Sequence, residues 1–347
     1  MPKFNYKWYL KDGYQLPKNN LNVFGTFICG GGSTMGYKLA GYNHLGGVEI
    51  DKKIAEVYKL NHNPKYLFIE DLRIFNQRND LPEELYNLDI LDGSPPCSNF
   101  SMAGNREKDW NKNKKFREGQ TKQVLDDLVF VYCETINKLQ PKVAILENVK
   151  GLISGNAKLY SKEIVKRLND FGYKVQVFLL NAASMGVPQK RERVFFIASK
   201  KELNYPDLKL EFNEKLICYK EYESTNGNEK PLTIDQKYWW ELTPKGCSVS
   251  KIHPKGQWFN AYKLSYNDVC PTITASGGNA EPMHPTIPRK INKQEICQIG
   301  TYPIDYDFKK LKPLYLIGMS VPPVMMAQIS YQIYLQWFAN DNSIEIK

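Results

Sequence analysis

The chain has 347 residues, 42% of them hydrophobic and 24% charged, enough for a sizeable core in one large domain or two unequal ones. That balance excludes a wholly disordered or fibrous protein, and no run approaches the ~18 apolar residues of a membrane span. Forty-seven Lys plus Arg against 37 Asp plus Glu leave a net charge of +10, which fits a polyanionic partner without requiring one.

The opening MPKFNYKWYLKDGY is polar and aromatic with no apolar signal core, so a cytoplasmic location is expected. Beyond it, seven short apolar or β-branched runs read as strands: Asn22–Cys29, Gly47–Ile50, Tyr66–Ile69, Leu88–Leu91, Val143–Leu146, Tyr173–Leu180 and Val194–Ala198. Helical patterns lie between them at Lys53–Leu60, Val124–Leu139 and Ser161–Phe171. The alternation predicts an α/β fold with a doubly wound, mostly parallel sheet, and the continuous apolar strands fit a sheet covered on both faces. After residue 199 the rhythm stops. Residues 200–262 mix lysines and acids almost evenly around Trp239, Trp240 and Trp258, which predicts a smaller, irregular domain, and Pro323–Phe338 reads as a last helix. The tryptophans and Lys251 and Lys255 either contact a partner or build the domain, and the second role is expected for most of them.

Seven scattered cysteines without a CxxC pair argue against a disulfide framework, and four histidines without HExxH or HxH spacing argue against a metal centre, so no metal is expected.

Four motifs stand at strand ends, where open α/β sheets form their ligand crevice. The first is Phe27-Ile-Cys-Gly30-Gly31-Gly32-Ser33, a glycine run that lets the backbone approach a nucleotide-like ligand. Glu49 closes the second strand, where an acid accepts from ribose hydroxyls, and Asp71 follows the third, where it meets an adenine amino group or caps a helix. The ligand is a dinucleotide or S-adenosylmethionine; the absence of a spaced G-x-G-x-x-G favours the phosphate-free one. The second motif, Asp92-Gly-Ser-Pro95-Pro96-Cys97-Ser98-Asn-Phe100-Ser101, holds a cysteine on a proline-stiffened turn, which suits a nucleophile acting as thiolate. The third, Ile145-Leu146-Glu147-Asn148-Val149, sends a glutamate out of an apolar strand as a candidate acid. The fourth is Gln189-Lys190-Arg191-Glu192-Arg193. Only eight of the 47 basic residues are arginines, so two within three positions point to planar, always-charged donors rather than a solvated edge.

Together with PTITAS and GMSVPP further on, these segments (FICGGG, VEID, EDL, GSPPCSNFS, ENVKGL, QKRER) resemble the DNA (cytosine-5) methyltransferase family of bacteria and phages, in the family's order and over nearly the whole chain. The resemblance implies a Rossmann-like S-adenosylmethionine-dependent fold and methyl transfer to carbon 5 of a cytosine flipped out of duplex DNA, with S-adenosylhomocysteine as product. It implies that Cys97 attacks carbon 6, Glu147 protonates or hydrogen-bonds ring N3, Arg193 holds the base carbonyl and Arg191 supports the thiolate and its loop. It assigns the cofactor to Phe27, Gly30, Gly31, Gly32, Glu49, Ile50, Asp71, Leu72, Pro96, Leu128, Ser320 and Val321. DNA contacts are expected at Ser98, Ser101, Arg106, Lys114 and Lys115, within a loop whose residues 101–122 carry seven basic and three acidic side chains. Residues 1–199 are then the catalytic and cofactor-binding domain. Residues 200–310 form a small domain with target recognition at about 200–262, and 311–347 return to the catalytic domain.

A monomer acting on double-stranded DNA is expected, with a cognate restriction endonuclease as functional partner or with a solitary or phage role. Cys29 stands where the family has its first glycine and Met319 where it has asparagine. A tRNA cytosine-5 methyltransferase of the same fold is the nearest alternative, but its Cys-Phe-Thr signature is missing. A nicotinamide-dependent dehydrogenase would leave PPC, ENV and QKRER unexplained.

Overall fold

In the computed structural model, residues 4–96, 127–225, 230–275 and 281–339 are described. They group into two compact units that alternate along the chain. The larger comprises 15–180, 192–211 and 327–347; the smaller comprises 1–14, 181–191 and 212–326. This differs from three consecutive segments: the N-terminal stretch and the QKR part of QKRER belong to the smaller unit.

The larger unit is built on seven strands: β1 (Asn22–Thr26), β2 (Asn43–Val48), β3 (Tyr66–Phe68), β4 (Ile90–Gly93), β5 (Val143–Val149), β6 (Tyr173–Asn181) and β7 (Glu192–Lys200). Their order is β3-β2-β1-β4-β5-β7-β6. β1 through β5 pair in parallel, and β7 runs antiparallel to β5. The sheet is mostly parallel, as the strand–helix alternation predicts, and it fits the S-adenosylmethionine-dependent methyltransferase fold that the resemblance implies. All seven expected strands are present. β2 starts four residues earlier than the expected run because the polar Asn43 and His44 pair with β1, and Gly46 pairs with both β1 and β3.

The helices of this unit are α1 (Gly32–Leu39), α2 (Lys52–His62), α3 (Leu72–Gln77), α4 (Leu128–Leu139) and α5 (Lys158–Asp170). Local chemistry sets their starts. The Asp51 carboxylate accepts from the backbone N–H of Lys53 and Ile54, and Asp71 accepts from that of Arg73. Packing holds them to the sheet: Phe24, Leu91 and Leu146 from the strands meet Phe75, Val129, Ile136 and Ile164 in one buried cluster. Tyr132 on α4 is fully buried and its hydroxyl reaches the carbonyls of Leu91 and Ile145, joining β4 and β5. Gly93 leaves room for that ring, since a Cβ there would lie 2.4 Å from it.

Among its described residues the smaller unit has three α-helices of its own, α6 (Ile234–Leu242), α7 (Lys293–Ile299) and α8 (Pro313–Met319). A last helix, α9 (Pro323–Ile333), begins in this unit and ends in the larger one, where the hydroxyl of Tyr42 donates to the Ser330 carbonyl at 2.8 Å. The region is less irregular than its composition predicts, because reciprocal caps start two helices: Thr233 with Gln236, and Asn292 with Glu295. Trp240 is buried beside Val249, Ala261 and Met283, with Trp239 and Trp258 packed against them, so these rings build the unit.

Candidate active site

β1 stops at Thr26 because the next residues turn. Phe27 (φ 55°) and Cys29 (φ 47°) are left-handed, and Gly31 (φ 77°) follows. Two side chains hold this turn. Glu49, 8% exposed after β2, accepts from the backbone N–H of Cys29 through Oε2 (3.0 Å) and of Asp51 through Oε1 (2.9 Å). Burial pushes its pKa up to about 7 against the pull of those bonds. His62, the last residue of α2, lies with Nε2 3.2 Å from the Gly30 carbonyl. A carbonyl only accepts, so Nε2 carries the hydrogen; burial drives this imidazole down to about 3 and keeps it neutral. At Gly31 a Cβ would meet Nε2 at 2.2 Å.

At the end of β3, Asp71 caps α3 and pairs with Arg73 at 3.0 Å, while Leu72 is buried and Ile50 half-buried. Arg73 also pairs with Asp127, the residue before α4, whose first residue Leu128 is buried. Ser320 and Val321 belong to the smaller unit. Both are buried, and the Ser320 hydroxyl accepts from Tyr302 (2.6 Å) and donates to the Leu316 carbonyl (2.9 Å).

The acid and one arginine meet directly. β5 and β7 place Val149 opposite Arg193 and Glu147 two positions back on the same face, the diagonal reach of long side chains. Arg193 Nε lies 3.0 Å from Glu147 Oε1, with side chains 14% and 10% exposed. Burial lowers the guanidinium pKa, and Glu147 works against that shift. The adjacent Asn148 donates from Nδ2 to the Pro95 carbonyl at 3.1 Å, tying ENV to the proline turn, where Pro96 is half-buried. Cys97, Ser98, Ser101, Arg106, Lys114 and Lys115 lie outside the described residues.

Arg191, in the smaller unit, is 2% exposed and donates to three carbonyls: Ile273 (3.0 Å), Gly318 (3.0 Å) and Ser320 (2.9 Å). It thereby joins PTITAS to GMSVPP. Gln189 does similar work that the sequence reading did not assign, accepting from the Ile273 N–H and donating to the Ile299 carbonyl. Asn148, His62 and the buried Asp92 were also unassigned. The fixed Asn of ENV was the one available signal, because buried polar contacts between distant positions leave no local pattern.

The sequence model of the family described as C-5 cytosine-specific DNA methylase matches residues 21–335. The chain belongs to that family and is a DNA (cytosine-5) methyltransferase. Among its relatives, the type II methyltransferase M1.HphI of Haemophilus parahaemolyticus is 25% identical, over 90% of this chain and 86% of that protein. M.Bsp6I of Bacillus sp. strain RFL6 is 28% identical over 90% and 98%. M.FnuDI of Fusobacterium nucleatum is 35% identical over 53% and 48%. A candidate DNA modification methyltransferase encoded within an E. coli prophage superimposes with a TM-score of 0.66 at 20% identity, over 91% of this chain and 99% of that one. Spodoptera frugiperda DNMT2, as a mutant, gives 0.65 at 15%, over 91% and 100%. At these identities the structural matches show a shared fold.

Methyltransferases of this family use S-adenosylmethionine, and the strand-end residues fit it chemically. The buried Glu49 carboxylate is an acceptor suited to ribose hydroxyls, the glycine turn admits close backbone approach, and the half-buried Phe27 and Ile50 offer apolar surface.

Proposed function

We propose that the chain methylates carbon 5 of a cytosine flipped out of duplex DNA, at one short target sequence, through a covalent bond between Cys97 and carbon 6. The observation that carries the reading is the half-enclosed Glu147–Arg193 pair beside an asparagine that holds the proline turn leading to Cys97. The Cys97 thiolate forms the S–C6 bond while electron density moves toward ring N3, where Glu147 donates a proton or hydrogen bond. Arg193, already oriented by Glu147, holds the base carbonyl. Arg191 is assigned, by the resemblance, to supporting the thiolate and its loop. S-adenosyl-L-methionine, when bound, supplies an electrophilic methyl group and leaves as S-adenosylhomocysteine. Loss of the carbon 5 proton then restores the double bond and expels Cys97 as thiolate.

The donor is assigned to Phe27, Gly30, Gly31, Gly32, Glu49, Ile50, Asp71, Leu72, Pro96, Leu128, Ser320 and Val321. The basic residues Arg106, Lys114 and Lys115, with Ser98 and Ser101, are assigned to DNA. The type II relatives support a restriction–modification setting in a bacterial or phage-infected cytoplasm. Among the described residues no helix is long and apolar enough to cross a membrane.

Cys97→Ser is expected to abolish methylation of duplex DNA while leaving DNA binding in place. A duplex containing 5-fluorocytosine should trap an adduct that mass spectrometry locates on Cys97. Full activity of the variant, or labelled methyl reaching tRNA and not DNA, would sink this reading. Bisulfite sequencing of DNA from expressing cells should show modified cytosine within a single short sequence.

A further inference from the structure

One buried acid is not used by the chemistry above. β1 and β4 are neighbours at the point where strand order reverses, with Thr26 opposite Gly93, and Asp92 precedes that glycine at 4% exposure. Its carboxylate accepts the Tyr37 hydroxyl at 3.2 Å through Oδ1, and the nearby Ser33 hydroxyl favours its ionised form. Its backbone carbonyl accepts from Thr26 Oγ1 at 3.2 Å. Ser33 and Tyr37 are four residues apart on α1, hence on one face of that helix. α1 opens at Gly32, so a group that holds Tyr37 beside Ser33 fixes the helix on which the glycine turn ends. On the other side, Asp92 leads through Gly93 and Ser94 to Pro95, whose carbonyl Asn148 holds. An apolar side chain would fill this place without the cost of burying a carboxylate.

We propose that Asp92 is a positioning residue for the methyl donor: its carboxylate holds α1 through the Tyr37 hydroxyl and so sets the glycine turn that receives the donor. The inference rests on reading that turn as the donor site. The ionised form is the stronger acceptor. Burial, helped by the Glu147 charge on β5 and opposed by Tyr37 and the nearby Ser33 hydroxyl, raises the Asp92 pKa to about 7. The other titratable groups that feel its charge are Tyr58 on α2 and Tyr132 on α4, and burial raises both phenols far above neutrality. Below pH 7 the hold on Tyr37 therefore weakens. Because the raised acid resists ionisation in the fold, its contribution to stability is lost as pH rises toward 7, and removing the charge should not weaken the fold at pH 8.

The test is donor binding by titration calorimetry, with S-adenosylhomocysteine as probe, on the full chain. Asp92→Asn and Tyr37→Phe should each weaken binding about tenfold at pH 8, and the double variant should be little worse than either. Turnover at saturating donor should change less than about twofold, and Asp92→Asn should melt no lower than the parent. Between pH 8 and 6 the parent should lose more affinity than Asp92→Asn. Glu49 is present in both proteins, so its own titration cancels in that comparison. Unchanged affinity in both variants, additive losses, or affinity and melting temperature falling together would overturn the proposal. A parent that binds no probe would overturn the donor site itself, and this inference with it.

Discussion

Cys29 shows how much a single position decides. Its φ of 47° lies in the left-handed region, where a side chain costs roughly 1–2 kcal/mol and glycine costs little. The sequence showed only that a cysteine replaced the family's glycine; the backbone angle explains why glycine is usual there. The Glu49 bond to the Cys29 N–H keeps the turn in place despite that cost. Cys29→Gly is therefore expected to hold or raise stability, by up to about 1 kcal/mol in chemical denaturation after glycine's larger unfolded-state entropy is subtracted. Glu49 offers a pH prediction with a definite sign. Its pKa is raised to about 7, so its stabilising contribution is complete below the unfolded carboxylate value and is lost as pH rises toward 7. Glu49→Gln should flatten that part of the stability–pH curve and weaken donor binding; a curve unchanged by the substitution would refute the assignment of the shift to this group.

Among the elements, the strands and long helices of the larger unit were legible because each carries its own apolar run or period. The short helices of the smaller unit were not. α6 spans nine residues with Ile234, Tyr238 and Leu242 exposed, so no inward apolar stripe marks it, and only the Thr233–Gln236 cap betrays its start. What organises this unit is a buried ion pair, Arg289 with Glu295 at 2.8 Å, both almost fully enclosed. Tyr219 donates to the same carboxylate at 2.6 Å, and the N–H groups of Ser224 and Asn292 complete its partners. Against the upward push of burial, the Arg289 and Tyr219 bonds hold the Glu295 pKa below its usual value, so its stabilising contribution is lost as pH falls. Glu295→Ala should cost about 3–5 kcal/mol in urea unfolding, because it strands a buried guanidinium; a cost under about 1 kcal/mol would contradict that account. Arg191→Lys should also be damaging, since an ammonium cannot span the three carbonyls that the guanidinium fork reaches.

For the whole molecule, the net charge of +10 now has a location as well as a sign. Residues 200–262 are nearly neutral, whereas 101–122 carry seven basic side chains against three acidic ones. If that segment meets phosphates, the logarithm of DNA affinity should fall linearly with the logarithm of salt. Replacing Lys114 and Lys115 with alanine should then flatten the slope by about 2, at about 0.9 per contact. An unchanged slope would move the phosphate contacts elsewhere. The sequence by itself determined the fold class and the order of the motifs, and it supplied the candidates for the chemistry, because strand periodicity, glycine turns and short motifs are local properties of a chain. Tertiary structure alone decided which of those residues meet. Glu147 reaches Arg193 across 46 positions only because β7 runs antiparallel to β5, and Arg191 gathers carbonyls more than eighty residues away. The buried Asp92 and His62, unremarkable as letters, acquire roles only where the packed sheet excludes water from them.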